Sequence, residues 1–184
     1  MPASPIIEQV RGLSPAISVG ILTADMMSLG SEVRVLDQAG VRVLHFDVMD
    51  GVFCPMLTFG PPFIKGIKTS LIKDVHLVVQ EPLDKLEAFV AAGADMITVH
   101  LEACRHPHRV LQALGQMTNA NDSGRGIIRG LAINPGTPVE SIEPLLGEVD
   151  MVTLLAVNPG WGGQKFIRTT PARVERLLGL IRGS

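Results

Sequence analysis

Short, almost uninterrupted apolar runs alternate along this chain with longer stretches in which apolar residues recur every three or four positions. The runs fall at about 16–22 (AISVGIL), 41–48 (VRVLHFDV), 72–79 (IKDVHLVV), 95–101 (DMITVHL), 127–133 (IIRGLAI) and 150–157 (DMVTLLAV). Runs of this length, bounded by turn residues, are what strands buried on both faces require. The intervening segments 26–38, 82–92, 105–117, 138–146 and 170–182 carry helical spacing. Pro82 and Pro138 suit the first turn of a helix, and Gly40 and Gly93 the turn after one. A polar, proline-punctuated lead over residues 1–14 reads as an N-terminal extension to one domain over 15–184.

Regular βα alternation predicts an α/β fold with a parallel sheet, and two architectures compete for it. A doubly wound sheet carries a glycine-rich phosphate loop after its first strand, whereas residues 20–25 here read GILTAD. A TIM (β/α)8 barrel fits better. A closed barrel has eight strands and typically about 250 residues, so the six units expected here amount to a barrel without strands 7 and 8. Open strand edges and a core open on one side invite association, so a homo-oligomer is expected.

Composition narrows the function without naming it. With 16 basic and 18 acidic residues among 184 and a net charge of −2, there is no basic stripe to neutralise a row of phosphates. No nucleic-acid partner is therefore expected. Aromatic residues make up only 4%, with no tyrosine, which removes a stacking platform for bases. No apolar run approaches the roughly 20 residues that span a bilayer, and the first residues lack a signal-peptide pattern. A cytoplasmic protein without a membrane partner is expected. Cys54 and Cys104 lack metal-ligand or disulfide-framework spacing and read as reduced thiols.

The chemistry lies at the strand ends. His45 and Asp47 stand two apart on the second run, so their side chains share a face, and His76 sits in the third run with Asp74 two before it. Two imidazoles and a carboxylate from neighbouring strand ends suit a borderline divalent ion such as Zn, Fe(II), Mn or Co. Burying ionisable groups in apolar strands is costly unless something pairs them. After the sixth run, NPGWGGQKF (158–166) offers free backbone N–H groups before a helical stretch, an arrangement that favours an anion such as phosphate.

Together the segments HFDVMDGVFCPMLTFGPP (45–62), DVHLVV (74–79), VHLEAC (99–104), LAINPGTPVE (131–140) and VNPGWGGQKFI (157–167) resemble ribulose-phosphate 3-epimerases in order and spacing. The resemblance covers about residues 17–182. It implies a metal-dependent isomerase of the pentose phosphate pathway, interconverting D-ribulose 5-phosphate and D-xylulose 5-phosphate, with one divalent metal ion and a small ketose phosphate as substrate. It also implies His45, Asp47 and His76 as metal ligands and Asp47 as one of two proton-transfer groups. The fourth ligand and second base would come from a D-G-G type motif on a seventh strand. Met49, Asn134, Gly160, Trp161, Gly162, Gly163 and Gln164 would line the substrate.

Three departures accompany the resemblance. Gly20 stands where the family usually has Ser, and Val78 and Leu155 where Met side chains often cover the metal. No D-G-G segment occurs in the sequence. An epimerase of another ketose phosphate, such as allulose 6-phosphate, and a catalytically silent barrel fragment are the competing expectations.

Overall fold

The computed structural model describes residues 5–183. Six parallel strands form one curled sheet, in the order in which they occur along the chain: β1 (Ser18–Gly20), β2 (Val43–Met49), β3 (Ile72–Val78), β4 (Met96–His100), β5 (Ile128–Ile133) and β6 (Met151–Leu154). Sequential order with every pair parallel is the winding of a TIM-type barrel rather than of a doubly wound sheet, where the order reverses. Each strand falls within or against the apolar run expected to form it.

The helices are α1 (Pro5–Leu13), α2 (Leu29–Gln38), α3 (Pro61–Gly66), α4 (Leu86–Ala91), α5 (Pro107–Gln116) and α6 (Thr170–Gly183). Two depart from the simple pattern for a visible reason. The segment expected as a helix over 138–146 is 3-10 from Val139 to Glu148. Pro144 inside it has no N–H to give and its ring obstructs a regular α turn. The 82–92 stretch divides into a 3-10 turn over Leu83–Lys85 followed by α4. Helix α3, unanticipated from periodicity, starts on Pro61-Pro62, whose fixed φ is preorganised for a first turn.

The parity of each strand sorts its residues into two faces. Leu44, Phe46, Val75, Leu77, Ile97 and Leu131 point outward into the main core beneath the helices and are essentially inaccessible. Burying each such side chain is worth roughly 1.5–3 kcal/mol. The alternate residues face the concave interior, where they stack in layers. Val43, Ile72, Met96 and Ile128 form an apolar floor closed from below by Ile6 of α1, with Val10 and Leu13 packed beside it. Of the expected N-terminal extension, residues 1–4 lie outside the described residues, and Pro5–Leu13 is a helix that plugs this end.

Above the floor the interior becomes polar, and one glycine makes room for it. A Cβ on Gly130 would sit 2.2 Å from Thr98 Oγ1 and 3.0 Å from Thr98 Cα, so β4 and β5 approach closely only because residue 130 has no side chain. Among the described residues no helix is long and apolar enough to cross a membrane.

Candidate active site at the carboxyl ends of the strands

The parallel register pairs His45 with Asp74 and Asp47 with His76 across β2 and β3. All four side chains therefore enter the interior from adjacent strands. One ligand atom each from His45, Asp47 and His76 lies within 4.8 Å of the other two. His45 Nε2 is 3.1 Å from Asp47 Oδ1, and His76 Nδ1 is 2.9 Å from that same oxygen. The convergence follows from local sequence: HxD on one strand and DxH on the next, in this register, place imidazoles and carboxylates alternately on one face.

The charge states follow from the neighbours. Burial works against the charged form of His45, but its hydrogen bonds to Asp47 and Asp74 outweigh it and raise the imidazole to about 10. Burial also works against ionised Asp47, yet the bonds from His45 and His76 hold it well below the usual carboxylate range. His76 bonds the same carboxylate and nevertheless moves the other way. It is fully enclosed, desolvation dominates, and the neighbouring His100 and His45 rings disfavour another positive charge.

The strand ends are held by the loop that follows β2. Thr58 Oγ1 donates to the Asp47 carbonyl at 2.8 Å and accepts from the Met49 N–H at 3.0 Å. Asp50 accepts from the N–H groups of Val52, Phe53 and Gln80, tying this loop to the end of β3. Across the opening, Arg173 of α6 donates to the carbonyls of Asn134, Thr137 and Leu155, fixing the loops after β5 and β6 against one another.

Above the three groups is a cavity of about 390 Å³, within the range of small-molecule sites. Its walls include Gly20, Met49, Val78, Leu155 and the segment Asn158–Gly162. A larger cleft of about 660 Å³ between α2 and α3 contains no comparable cluster of metal-ligating side chains. Of the residues that the resemblance places around a substrate, Met49, Gly160, Trp161 and Gly162 line the cavity, while Asn134, Gly163 and Gln164 do not. Gln164 turns back on its own loop, donating to the carbonyls of Asn158 and Trp161 and accepting from the Asn158 N–H. Asn134 is engaged through its main chain, which donates to Glu102 and accepts from Arg173. Gly160 has a φ of +110°, and a Cβ there would meet Cys54 and Pro55 at 2.9 Å, so the glycine segment rests directly on the loop after β2.

The sequence set Asp74 on the face of His76 but marked neither it nor His100 as a partner of the histidines. Asp74 Oδ2 lies 2.7 Å from His45 Nδ1 and also accepts from Ser18 Oγ. His100, completely buried, places Nε2 2.9 Å from His76 Nε2. The signal was available in parity: Asp74 and His76 share a face, as do Thr98 and His100 on the next strand.

Comparison with known proteins agrees with this geometry. The family described as the ribulose-phosphate 3 epimerase family matches residues 16–182. A ribulose-phosphate 3-epimerase of Rhodobacter capsulatus is 45% identical over 170 residues, 90% of this chain and 69% of that protein. The Bacillus subtilis enzyme of the same name is 39% identical over 163 residues, 88% of this chain and 71% of its own. That of Treponema pallidum is 40% identical over 164 residues, 88% and 72% respectively. Since the match runs through all six strands and every loop that borders the cavity, the chain belongs to the ribulose-phosphate 3-epimerase family.

Proposed function

We propose that this chain epimerises a ketose phosphate at carbon 3, interconverting D-ribulose 5-phosphate and D-xylulose 5-phosphate, with Asp47 as a proton-transfer group. The observation that carries the reading is the convergence of His45, Asp47 and His76 at the base of a small cavity bordered by a glycine segment.

The donor set fits a divalent ion. Two imidazole nitrogens and a carboxylate oxygen converge, and Asp74 stands behind His45 as the second partner that metal-bound histidines generally have. Zn, Fe(II), Mn or Co would suit these donors. The chemistry such an ion supplies is Lewis-acid polarisation of the oxygens flanking the reacting carbon.

Epimerisation beside a carbonyl removes a proton from carbon 3, leaves an enediolate, and returns a proton on the other face. Asp47 is ionised and its main chain is pinned by Thr58, so its carboxylate is ready to take a proton without rearranging. A carboxylate held so low by its histidines is a weak base. Met49, Val78 and Leu155 exclude water and strengthen electrostatic stabilisation of the developing charge. Backbone N–H groups of the 160–162 segment suit the remote phosphate, whose binding positions carbon 3 beside Asp47. Inversion also needs a proton-transfer group on the opposite face, which the resemblance assigns to a D-G-G type segment.

The test is solvent deuterium incorporation at carbon 3 of ribulose 5-phosphate in D2O with added zinc or manganese. Exchange requires only one base, so it reads Asp47 separately from inversion. Incorporation is expected, and Asp47→Asn should reduce it by at least about 10²–10⁴-fold. Undiminished exchange in the Asn variant overturns the reading.

A further inference from the structure

His45 and His76 present opposite ring nitrogens to Asp47: Nε2 from the first and Nδ1 from the second. As metal ligands both must be bare at those atoms, so the two rings must be opposite tautomers. For His45 the nearby Asp74 carboxylate suffices. His76 has no carboxylate at its outward nitrogen; it has another histidine.

We propose that Glu102 and His100 are positioning residues that set the tautomer of His76: Glu102 accepts from His100 Nδ1–H, and His100 Nε2 accepts from His76 Nε2–H. With an ion at the site this leaves His76 Nδ1 bare to bind it; without one, that nitrogen donates to Asp47 at 2.9 Å. The proposal rests on the metal-site reading above.

Once His76 Nδ1 is given to the ion, three observations determine the direction of this chain. Glu102 Oε1 already accepts from the Asn134 N–H at 2.8 Å and from the Thr137 hydroxyl, and the ionised carboxylate has no hydrogen of its own to give. Its Oε2 lies 3.4 Å from His100 Nδ1, so that nitrogen must carry the proton. The imidazoles of His76 and His100 are close to coplanar, inclined by 21°, with centroids 4.9 Å apart and Nε2 atoms only 2.9 Å apart, so they meet edge to edge. One of the two facing nitrogens donates and the other accepts, and His100 has already used its proton on Glu102. The reverse arrangement would set the bare Nδ1 of the completely buried His100 against the Glu102 carboxylate, two acceptors with no hydrogen between them. A buried acceptor left without a hydrogen is destabilising.

The chain also explains why a fully buried histidine belongs on β4. Phe53 packs against the His100 ring, with centroids 5.0 Å apart, which helps fix the ring plane. Glu102 in turn holds the 134–137 loop, so the His76 tautomer is anchored in backbone beyond the cavity.

The experiment is long-range 1H–15N correlation spectroscopy of the imidazoles in the zinc-loaded protein, with zinc titration calorimetry of wild type, Glu102→Leu and His100→Phe. The expected pattern is His76 metal-bound at Nδ1 and protonated at Nε2, with His100 protonated at Nδ1 and bare at Nε2. Both variants should bind zinc about 10–100-fold more weakly. A purely structural role would lower the melting temperature and leave the tautomers of the remaining rings unchanged. Zinc binding with His76 protonated at Nδ1, or with His100 protonated at Nε2, overturns the relay and leaves the metal site standing. Wild-type affinity in both variants does the same. Failure of the wild-type protein to bind zinc overturns the metal-site reading and the relay with it. Should either variant fail to fold, the wild-type tautomers still decide.

Discussion

Asp74 Oδ2 sits 2.7 Å from His45 Nδ1, across the register pair that joins β2 to β3. The contact turns His45 Nε2 toward Asp47, and Ser18 Oγ steadies the same carboxylate oxygen from β1 at 3.0 Å. The other oxygen, Asp74 Oδ1, is buried and has no hydrogen-bond partner among the described residues. Asp74→Leu should weaken zinc binding by about 10–100-fold, the usual cost of losing such a partner. It should also destabilise the fold by about 1–3 kcal/mol, because the His45 N–H and the Ser18 hydroxyl lose their acceptor. Ser18→Ala should have a smaller effect on both. Calorimetry and denaturant unfolding measure the two quantities, and wild-type zinc affinity in Asp74→Leu would exclude the positioning role.

Much of this site was legible in the sequence because strand parity is a strict rule. Once 41–48 and 72–79 are strands, His45 and Asp47 must share a face, and so must Asp74 and His76. Register was not legible: nothing local says that His45 faces Asp74 rather than His76, since this depends on the offset between strands and the loops that set it. The α1 plug was hidden for a different reason. Ile6, Val10 and Leu13 have helical spacing, but they lie in a short proline-flanked stretch whose stability comes from the apolar floor it covers. Gln164 illustrates a third limit, because a polar residue beside a glycine segment serves a ligand or its own loop equally well, and only the loop's backbone path decides between them.

The acid limb of the stability profile should report Glu102. Burial opposes its ionisation, but hydrogen bonds from His100, Thr137 and the Asn134 N–H outweigh that and lower it from the ordinary 4.5 to about 2. A group depressed on folding contributes stability that is fully present above its unfolded value and lost as pH falls through its folded value. The window is therefore between about pH 4.5 and 2. With the side chain 23% exposed, solvent screening reduces the contribution to about 1–2 kcal/mol. Unfolding free energies measured through this window should fall less steeply for Glu102→Gln than for wild type. Identical slopes would mean that Glu102 is not depressed.

The close approach of β4 and β5 gives a test of packing independent of the chemistry. Gly130→Ala would force a methyl against Thr98 Oγ1, a contact of 2.2 Å before relaxation, and should cost about 1–3 kcal/mol. Thr98 Oγ1 is buried and has no hydrogen-bond partner among the described residues, so Thr98→Ala removes the closest obstruction and no hydrogen bond, while the Cβ and Cα of residue 98 stay at 2.9 and 3.0 Å. The double variant should recover part of the loss. A thermodynamic cycle measured by chemical unfolding should show a coupling of at least about 0.5 kcal/mol, the sign of residues in contact. Strict additivity would mean that the strands adjust independently.

The glycine segment yields the last prediction, through Gln164 rather than through its glycines. The Gln164 amide closes three hydrogen bonds within the loop: to the Asn158 carbonyl at 2.6 Å, to the Trp161 carbonyl at 2.9 Å and from the Asn158 N–H at 3.0 Å. Those bonds preorganise the backbone that borders the cavity, while Gln164 itself lies outside the cavity wall. Gln164→Ala releases the loop without removing a contact to the reacting carbon, so substrate binding must then order it at an entropic cost. KM for ribulose 5-phosphate should rise by about 3–30-fold, roughly the loss of one or two hydrogen bonds at about 1 kcal/mol each. The rate of carbon-3 exchange at saturation should change much less. Gln164→Glu supplies the control, since a carboxylate still accepts from the Asn158 N–H but repels both carbonyls, and it should raise KM at least as much as Ala. A fall in saturated exchange with KM unchanged would place Gln164 at the reacting carbon instead of in the support of the loop.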